Sequence, residues 1–239
     1  MALFLKANWE NIIMANYEID PQILLPYLPK GVEIDFFEDK CYISLVGFMF
    51  KNIQLFNIPI PWFGNFEEIN LRFYVIRKEG NQTKRGVVFI NETIPYPIVA
   101  WVANKLYKEH YTVVPTKHEQ IIEFDANKIK FEWFLDSKWN SIEASYATAT
   151  QSMKKNSLER FIYEHYIGYT KVNENVTEEY HLQHPSWKTH TLLDYTINCD
   201  FEAMYGTDFA ILNNTKPAAV CIAKGSKVGI EWKRNQLKF

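Results

Sequence analysis

Alternating polar and apolar residues recur in short runs along the chain and predict many strands. Residues 32–37 and 41–50 are rich in β-branched and aromatic side chains, and the short gap between them predicts a hairpin. Residues 69–78 and 85–92 predict a second hairpin by the same pattern. Further strands are expected at residues 119–125, 128–135, 141–149, 175–183, 194–200, 218–223 and 227–233.

Helical spacing is confined to a few segments. Residues 8–28 are expected to be helical or irregular, because Pro21 suits the first turn of a short helix. The run 98–110 carries apolar residues at helical spacing and predicts a helix. Asn156 with Glu159 resembles a capping box, which predicts one more helix start.

The balance of elements predicts the fold class. Many short strands with two or three helices do not fit a doubly wound parallel sheet, in which strands and crossover helices alternate. We therefore predict a single domain over residues 1–239, of the α+β class and β-dominated. Its sheet is expected to be mixed or antiparallel and barrel-like.

Composition narrows the functional classes. The 17 Phe, 14 Tyr and 7 Trp residues provide for a large core. The 26 Lys and Arg nearly balance the 28 Asp and Glu, which argues against a nucleic-acid surface, and no apolar run is long enough to cross a membrane. Three cysteines without a C-x-x-C pair, and an N-terminus without an apolar secretory core, predict a cytoplasmic location.

The motifs of common cofactor and metal sites are missing or weak. The sequence has no G-x-G-x-x-G, P-loop or G-x-S-x-G motif, so no cofactor is predicted. His181, His184 and His190 lie within ten residues and would suit a metal-dependent hydrolase if a turn brought them together. The other interpretation is a polar strand end, since positions 181 and 184 point to opposite faces of a strand.

The segment EEINLRFYV at 67–75 is the most informative polar pattern. On a strand, Glu68, Asn70, Arg72 and Tyr74 share one face, and the other face is apolar. The polar row indicates either a solvated face or the lumen of a barrel. In the lumen, the Arg72 guanidinium would match a bound carboxylate in bidentate fashion.

A second candidate region is the tyrosine-rich segment at 158–170. If Glu164 is buried among its aromatic rings, desolvation would raise the pKa of its carboxyl and suit acid–base work near neutral pH. The alternative is the end of an amphipathic helix with tyrosines whose polar tips reach solvent.

Six segments form a joint pattern. They read LPKGVEID at 28–35, CYISLVGF at 41–48, EINLRFYV at 68–75, GVVF at 86–89, LERFIYEHYIGYT at 158–170 and HPSW at 184–187. Together they resemble the uncharacterised bacterial YqjF-like proteins, which belong to the acetoacetate decarboxylase-like superfamily. The resemblance implies a β-barrel-like core with an internal pocket.

The resemblance also bears on chemistry. In decarboxylases of that superfamily a lysine forms a Schiff base with a β-keto acid, and a neighbouring cation lowers the pKa of that lysine. Here the lysine position falls on Tyr111 or, in another register, on Thr116, and neither register supplies paired lysines. Asn104, His110 and His165 depart from the Arg, Pro and Arg of the YqjF-like pattern. We therefore expect no Schiff-base decarboxylation.

The leading hypothesis is a protein that binds a small organic acid or carbonyl compound in an interior pocket. Whether it also catalyses a reaction stays open; the enzymatic form would be a lyase-like or acid–base reaction on small carbonyl substrates. The expected partner is this small-molecule ligand, without nucleic acid or membrane, and a homo-oligomer stays open. The candidate residues are Glu68 and Glu164 for catalysis, and Asn70, Arg72, Tyr111 and Tyr166 for substrate binding.

Two further hypotheses compete with this one. Residues 53–66, IQLFNIPIPWFGNF, combine Pro and Gly with apolar residues and predict a loop that is apolar enough to dock another protein. The chain would then be a structural or protein-interaction domain without a ligand. The third hypothesis is the metal-dependent hydrolase built on the three histidines.

Overall fold

A computed structural model describes residues 3–239, and the side chains of all of these except 106 and 107. In this part of the chain there are sixteen strands and four α-helices. The strands are β1 (Leu3–Glu18), β2 (Glu33–Ile34), β3 (Phe36–Phe37), β4 (Lys40–Leu55), β5 (Ile58–Pro59), β6 (Phe66–Glu79), β7 (Gln82–Ile94), β8 (Tyr111–Val113), β9 (Thr116–Ile122), β10 (Ala126–Leu135), β11 (Lys138–Ser152), β12 (Ile167–Asn173), β13 (Val176–Gln183), β14 (Lys188–Asn198), β15 (Ala219–Glu231) and β16 (Asn235–Lys238). The helices are α1 (Pro21–Leu24), α2 (Pro97–Tyr107), α3 (Leu158–Tyr163) and α4 (Phe201–Tyr205), with 3₁₀ turns at Leu25–Tyr27 and Thr207–Asn214.

Seven strands close into a ring. Their order is β1, β4, β6, β7, β12, β13 and β15, and β15 pairs again with β1. The ring closes where Leu182 of β13 pairs with Ile230 of β15, and its one parallel contact joins Gly168 of β12 to Val87 of β7. The predicted β-dominated α+β class with a barrel-like mixed sheet is confirmed.

Four further strands of the same sheet cover one outer side of the ring. Strands β9, β10, β11 and β14 continue the sheet from β15, and their apolar side chains share one core with the outward residues of β1, β4 and β6. At Gly47 a Cβ atom would collide with Phe131 and Ile142, so the absence of a side chain lets the two layers approach. Both faces of β6 are therefore buried.

The N-terminal prediction was wrong. Residues 8–28 were expected to be helical or irregular, whereas β1 runs through Glu18 and only Pro21–Leu24 is helical. The β1 segment from Ile12 to Tyr17 is buried throughout, because β1 pairs with β4 on one edge and β15 on the other. A strand buried on both faces does not alternate in polarity, so the sequence showed no strand period.

Other predicted element boundaries also differ from those in the structure. The helix predicted from the Asn156 cap starts one residue later, because the Ser157 hydroxyl accepts the Arg160 amide hydrogen bond and Asn156 takes a left-handed backbone. The predicted loop at 53–66 contains the end of β4 and the short strand β5. The strands predicted at 218–223 and 227–233 are one strand, β15, which continues through the left-handed Gly225.

Candidate functional site

The interior of the ring holds a cavity of about 340 Å³. This volume lies in the range that encloses a small organic ligand. Most of its lining residues are apolar: Phe4, Leu5, Trp9, Phe48, Phe50, Ile53, Leu55, Ile60, Phe63, Phe66, Val87, Phe89, Ile98, Val99, Val102, Ala103, Ile167, Leu182 and Ile230. The polar lining residues are Glu68, Asn70, Arg72, Glu92, Glu109, Tyr111, His165, Tyr180 and Arg234.

Strand β6 supplies the central polar row of this lining. Glu68, Asn70 and Arg72 line the cavity, whereas Ile69 and Leu71 of the same strand face the outer core. The Asn70 amide donates a hydrogen bond to Glu68 over 3.1 Å. The lumen interpretation of this row is therefore the one the structure supports, and the solvated-face alternative is wrong for these three residues.

Tyr111 joins two buried carboxyl groups. Its hydroxyl lies 2.9 Å from Glu92 Oε1 and 3.4 Å from Glu68 Oε2. Strand β8 places Tyr111 beside Glu92 of β7, and the Asn104 side chain holds the Tyr111 backbone through hydrogen bonds of 2.7 and 2.9 Å. Asn104, a departure from the YqjF-like pattern, thus positions Tyr111.

This carboxyl pair retains a proton near neutral pH. Burial raises the pKa of Glu68 to about 7, against the opposing effects of the Asn70 and Tyr111 hydrogen bonds and of the Arg72 charge. Burial, together with the charges of Glu68 and Glu109, raises the pKa of Glu92 well above its usual range. The Tyr111 hydroxyl can donate only one hydrogen bond, so it cannot donate to both carboxyl groups. A proton on one of the two carboxyl groups would let that group donate a hydrogen bond to the Tyr111 oxygen.

Arg72 is a buried cation without a carboxylate partner. It is 8% exposed, and no ion pair to it occurs within residues 3–239. Its Nη2 lies 3.5 Å from the Met14 sulfur, and its Nε has no hydrogen-bond partner. Asn70 Oδ1 and Glu92 Oε2 are likewise buried and unpartnered in the described structure. Such atoms carry a desolvation cost that only a hydrogen-bonding partner offsets.

A second polar group lines the cavity from distant parts of the chain. Arg234 lies 3.1 Å from Glu109 and 3.4 Å from Glu178, and its guanidinium stacks 4.4 Å from the Tyr180 ring centre. Gly168 makes room for Tyr180, since a Cβ atom there would overlap the ring. Sequence reasoning missed these residues because none of them lies in the strand that carries the polar row or in the strand predicted to pair with it.

His165 is a further lining residue that the sequence did not single out as functional. Its Nε2 lies 3.3 Å from Asp35, which Arg85 holds at 3.0 Å, and its Nδ1 has no partner in the described structure. Burial lowers the pKa of His165, which favours the neutral imidazole at neutral pH. With its N–H directed at Asp35, the neutral ring keeps Nδ1 as an acceptor. The signal in the sequence was the His in place of the Arg of the YqjF-like pattern.

The structure brings four of the six predicted site residues to the cavity and leaves two outside. Glu68, Asn70, Arg72 and Tyr111 line it, whereas Glu164 and Tyr166 do not. Helix α3 ends at Tyr163, and in the extended chain that follows, His165 and Ile167 line the cavity while the alternate residues point away. Glu164 is half-buried and accepts hydrogen bonds from Tyr166 and Ser186, so the expected burial among aromatic rings was wrong.

The three histidines of the metal hypothesis have separate partners. His181 contacts Glu179, His184 stacks on Trp187 with ring centres 4.0 Å apart, and His190 contacts the Ala147 carbonyl. Within residues 3–239, no group of three or more His, Cys, Asp or Glu side chains is placed to hold a metal ion.

The apolar segment 53–66 divides between the interior and the surface. Ile53, Ile60, Phe63 and Phe66 line the cavity, whereas Trp62 is 88% exposed. Among the described helices, none combines the length and the apolar character needed to cross a membrane.

Comparisons with known protein sequences give matches over most of the chain. The family model DUF2071, described as an uncharacterized conserved protein, matches residues 6–227. The uncharacterized protein YqjF of Bacillus subtilis (strain 168) is 24% identical over 188 residues, which cover 76% of this chain and 73% of that protein. These matches confirm the YqjF-like resemblance.

Solved structures show the same fold at low identity. The enduracididine biosynthesis enzyme MppR complexed with pyruvate gives a TM-score of 0.65 at 11% identity, covering 100% of this chain and 92% of that chain. Acetoacetate decarboxylase from Legionella pneumophila gives 0.64 at 10% identity, covering 97% and 86%. The acetoacetate decarboxylase-like fold is thereby confirmed.

Proposed function

The chain belongs to the DUF2071 family, and we propose that it binds a small organic acid or carbonyl compound inside the ring and transfers protons to or from it. The observation that carries this proposal is the Arg72 guanidinium, which is buried beside the cavity without a carboxylate partner. An anionic ligand group would neutralise this charge and would accept its unused N–H groups. Without such a ligand, burying an unpaired cation is costly.

The neighbouring polar atoms complement such a ligand. Asn70 Oδ1 is an unused acceptor and would receive a hydrogen bond from a hydroxyl or acid proton of the ligand. The Tyr111 hydroxyl would stabilise negative charge that develops on a carbonyl oxygen. Glu68, with a pKa of about 7, would exchange a proton with the ligand near neutral pH.

Proton transfer next to a carbonyl is the reaction class that this set of groups supports best. In the described structure no lysine lines the cavity, and Tyr111 occupies a polar position beside the two carboxyl groups. A Schiff base is therefore not part of the proposal. That MppR, a protein of the same fold, was solved with pyruvate supports a 2-oxo acid as the first ligand to try.

The test is ligand-induced thermal stabilisation with pyruvate, acetoacetate and lactate. We expect a rise in Tm for the wild-type chain and no rise for Arg72→Met, which keeps the volume and removes the charge. Charge-assisted hydrogen bonds of about 1.5–3 kcal/mol predict roughly a ten- to hundredfold loss of affinity. Arg160→Ala is the control, because Arg160 is exposed on α3 and does not line the cavity.

The controls separate loss of the site from loss of the fold. Arg72→Met should melt at or above the wild-type temperature without ligand, since it removes an unpaired buried charge. Arg72→Lys should retain part of the stabilisation because it keeps the charge but loses the planar fork. An equal rise in Tm for wild type and Arg72→Met would remove Arg72 from the binding site and end the proposal.

A further inference from the structure

The cavity is longer than a three-carbon acid needs. Along β6 its lining row runs Arg72, Asn70, Glu68 and then Phe66, which spans roughly 20 Å at about 3.4 Å per strand residue. Pyruvate, with bonds of about 1.5 Å, covers only the first part of such a row. The lining therefore continues well beyond the polar groups that would hold an acid.

Beyond Glu68 the lining becomes aromatic. On the neighbouring strand β4, Phe48 pairs with Glu68 and Phe50 pairs with Phe66. Trp9 packs against Phe48 and Phe50 with ring centres 4.9 and 5.5 Å apart, and Phe50 packs against Phe66 at 5.1 Å. We call these four side chains, Trp9, Phe48, Phe50 and Phe66, the aromatic arm of the cavity. The Trp9 Nε1 atom is the one buried polar side-chain atom of the arm, and it has no partner in the described structure.

The arm continues to an apolar opening. Tyr96, which contacts Phe66 at 5.6 Å, precedes α2, and Ile98 and Val99 of that helix line the cavity. Ile98 is 58% exposed, so the cavity reaches solvent beside it. Trp62 is exposed and directly precedes the lining residue Phe63 in the sequence.

We propose that the ligand is an acid or carbonyl compound with an extended apolar tail, a medium-chain alkyl or aryl group, that lies along the aromatic arm. This inference rests on the proposed function, because the polar head would occupy Arg72, Asn70 and Glu68. A short acid would leave the aromatic arm without contacts, whereas a tail buries apolar surface against it. Each buried methylene group strengthens binding about fourfold.

The test is calorimetric titration of straight-chain 2-oxo acids from pyruvate to 2-oxodecanoate. We expect the Kd to fall about fourfold with each methylene until the arm is filled. Val99→Trp, which would narrow the cavity at the apolar opening beyond the aromatic arm, should remove this gain for the long acids. The matched control is Lys105→Trp, which adds the same side chain to α2 at an exposed position away from the lining.

The outcomes for the tail and for the proposed function differ. If all the acids bind with the same Kd, the apolar-tail inference is overturned while the proposed function stands. If none binds, or if Arg72→Met binds every acid as tightly as wild type, the proposed function itself fails. Should Val99→Trp not fold, the wild-type series still decides the question, because the chain-length dependence needs no variant.

Discussion

Two buried glutamates of this chain have opposite surroundings. Glu179 is 0% exposed and lies 2.9 Å from Arg77 and 3.2 Å from Lys84. Burial alone would raise the pKa of Glu179, but hydrogen bonds and these two cations outweigh it and lower it to about 2. Glu68 is 3% exposed, has no cation within ion-pair distance in the described structure, and has a pKa raised to about 7.

The difference separates a structural carboxylate from one prepared for chemistry. Glu179 has partners for its charge, so it is ionised at every ordinary pH and ties β13 to the β6–β7 hairpin. Glu68 shares its surroundings with the unpartnered atoms of Asn70 and Arg72 and borders the cavity. Burial of a carboxyl group alone therefore does not indicate a functional site. A buried carboxyl group that lacks a cation partner and borders a cavity does.

The largest expected effect concerns the fully paired glutamate. Glu179→Ala removes the buried carboxylate and leaves Arg77 and Lys84 with the half-exposed Glu79 as their only carboxylate partner among the described residues, and we expect a loss of about 3–5 kcal/mol in the free energy of unfolding. Urea denaturation at pH 7 measures it. The control is Glu79→Ala, because Glu79 contacts the same two cations but is half exposed. That variant should lose no more than about 1 kcal/mol; equal losses in both would contradict the distinction drawn from burial.

Much of the polar row could be predicted from local pattern, because period-two alternation holds within one strand. The strands around 69–78 and 85–92 were expected, and Glu68, Asn70 and Arg72 were expected to share a face. Whether that face encloses a hollow depends on the pairing of Leu182 with Ile230, which closes the ring. No local pattern contains that information.

The other residues that line the cavity could not be predicted from local sequence pattern either. Glu109 and Arg234 meet at 3.1 Å although 125 residues separate them, and only the closed ring brings them together. His165 lines the cavity because α3 ends two residues before it, and the sequence did not show where that helix ends. Glu164 was predicted as a site residue because tyrosines surround it in the sequence. In an extended chain, neighbouring side chains point to opposite sides, so Glu164 points away from the cavity that His165 lines.

A pH series tests the comparison of Glu68 with Glu179, and its expected effect on stability is of intermediate size. The folded pKa of Glu68 is raised from 4.5 to about 7, so between these values the folded state holds a proton that the unfolded state has lost. The contribution of Glu68 to stability is then lost as the pH rises through this window. Glu68→Gln should therefore unfold like wild type near pH 4 and gain on the order of 1–3 kcal/mol at pH 8.

Glu179 predicts the opposite dependence. Its folded pKa is lowered from 4.5 to about 2, so the stability that it contributes is present above about pH 4.5 and is lost as the pH falls towards 2. Glu179→Gln should flatten the wild-type curve on this acid side only. Urea midpoints from pH 2 to 8 measure both variants, and a Glu68→Gln curve parallel to wild type across pH 4–8 would contradict the raised pKa.

The smallest effect compares the tyrosines that donate to each carboxyl system. Tyr111 lies 2.9 Å from Glu92 Oε1, while Glu92 Oε2 has no partner in the described structure, and Tyr169 lies 3.2 Å from Glu179. Tyr111→Phe should cost about 1 kcal/mol of unfolding free energy at pH 7, the net value of one buried hydrogen bond. Tyr169→Phe should cost less, about 0.5 kcal/mol, because Glu179 keeps Arg77 and Lys84. Since the same atom is removed in both variants, a larger loss at Tyr169 would mean that the cavity carboxyls, not Glu179, have the more complete set of partners.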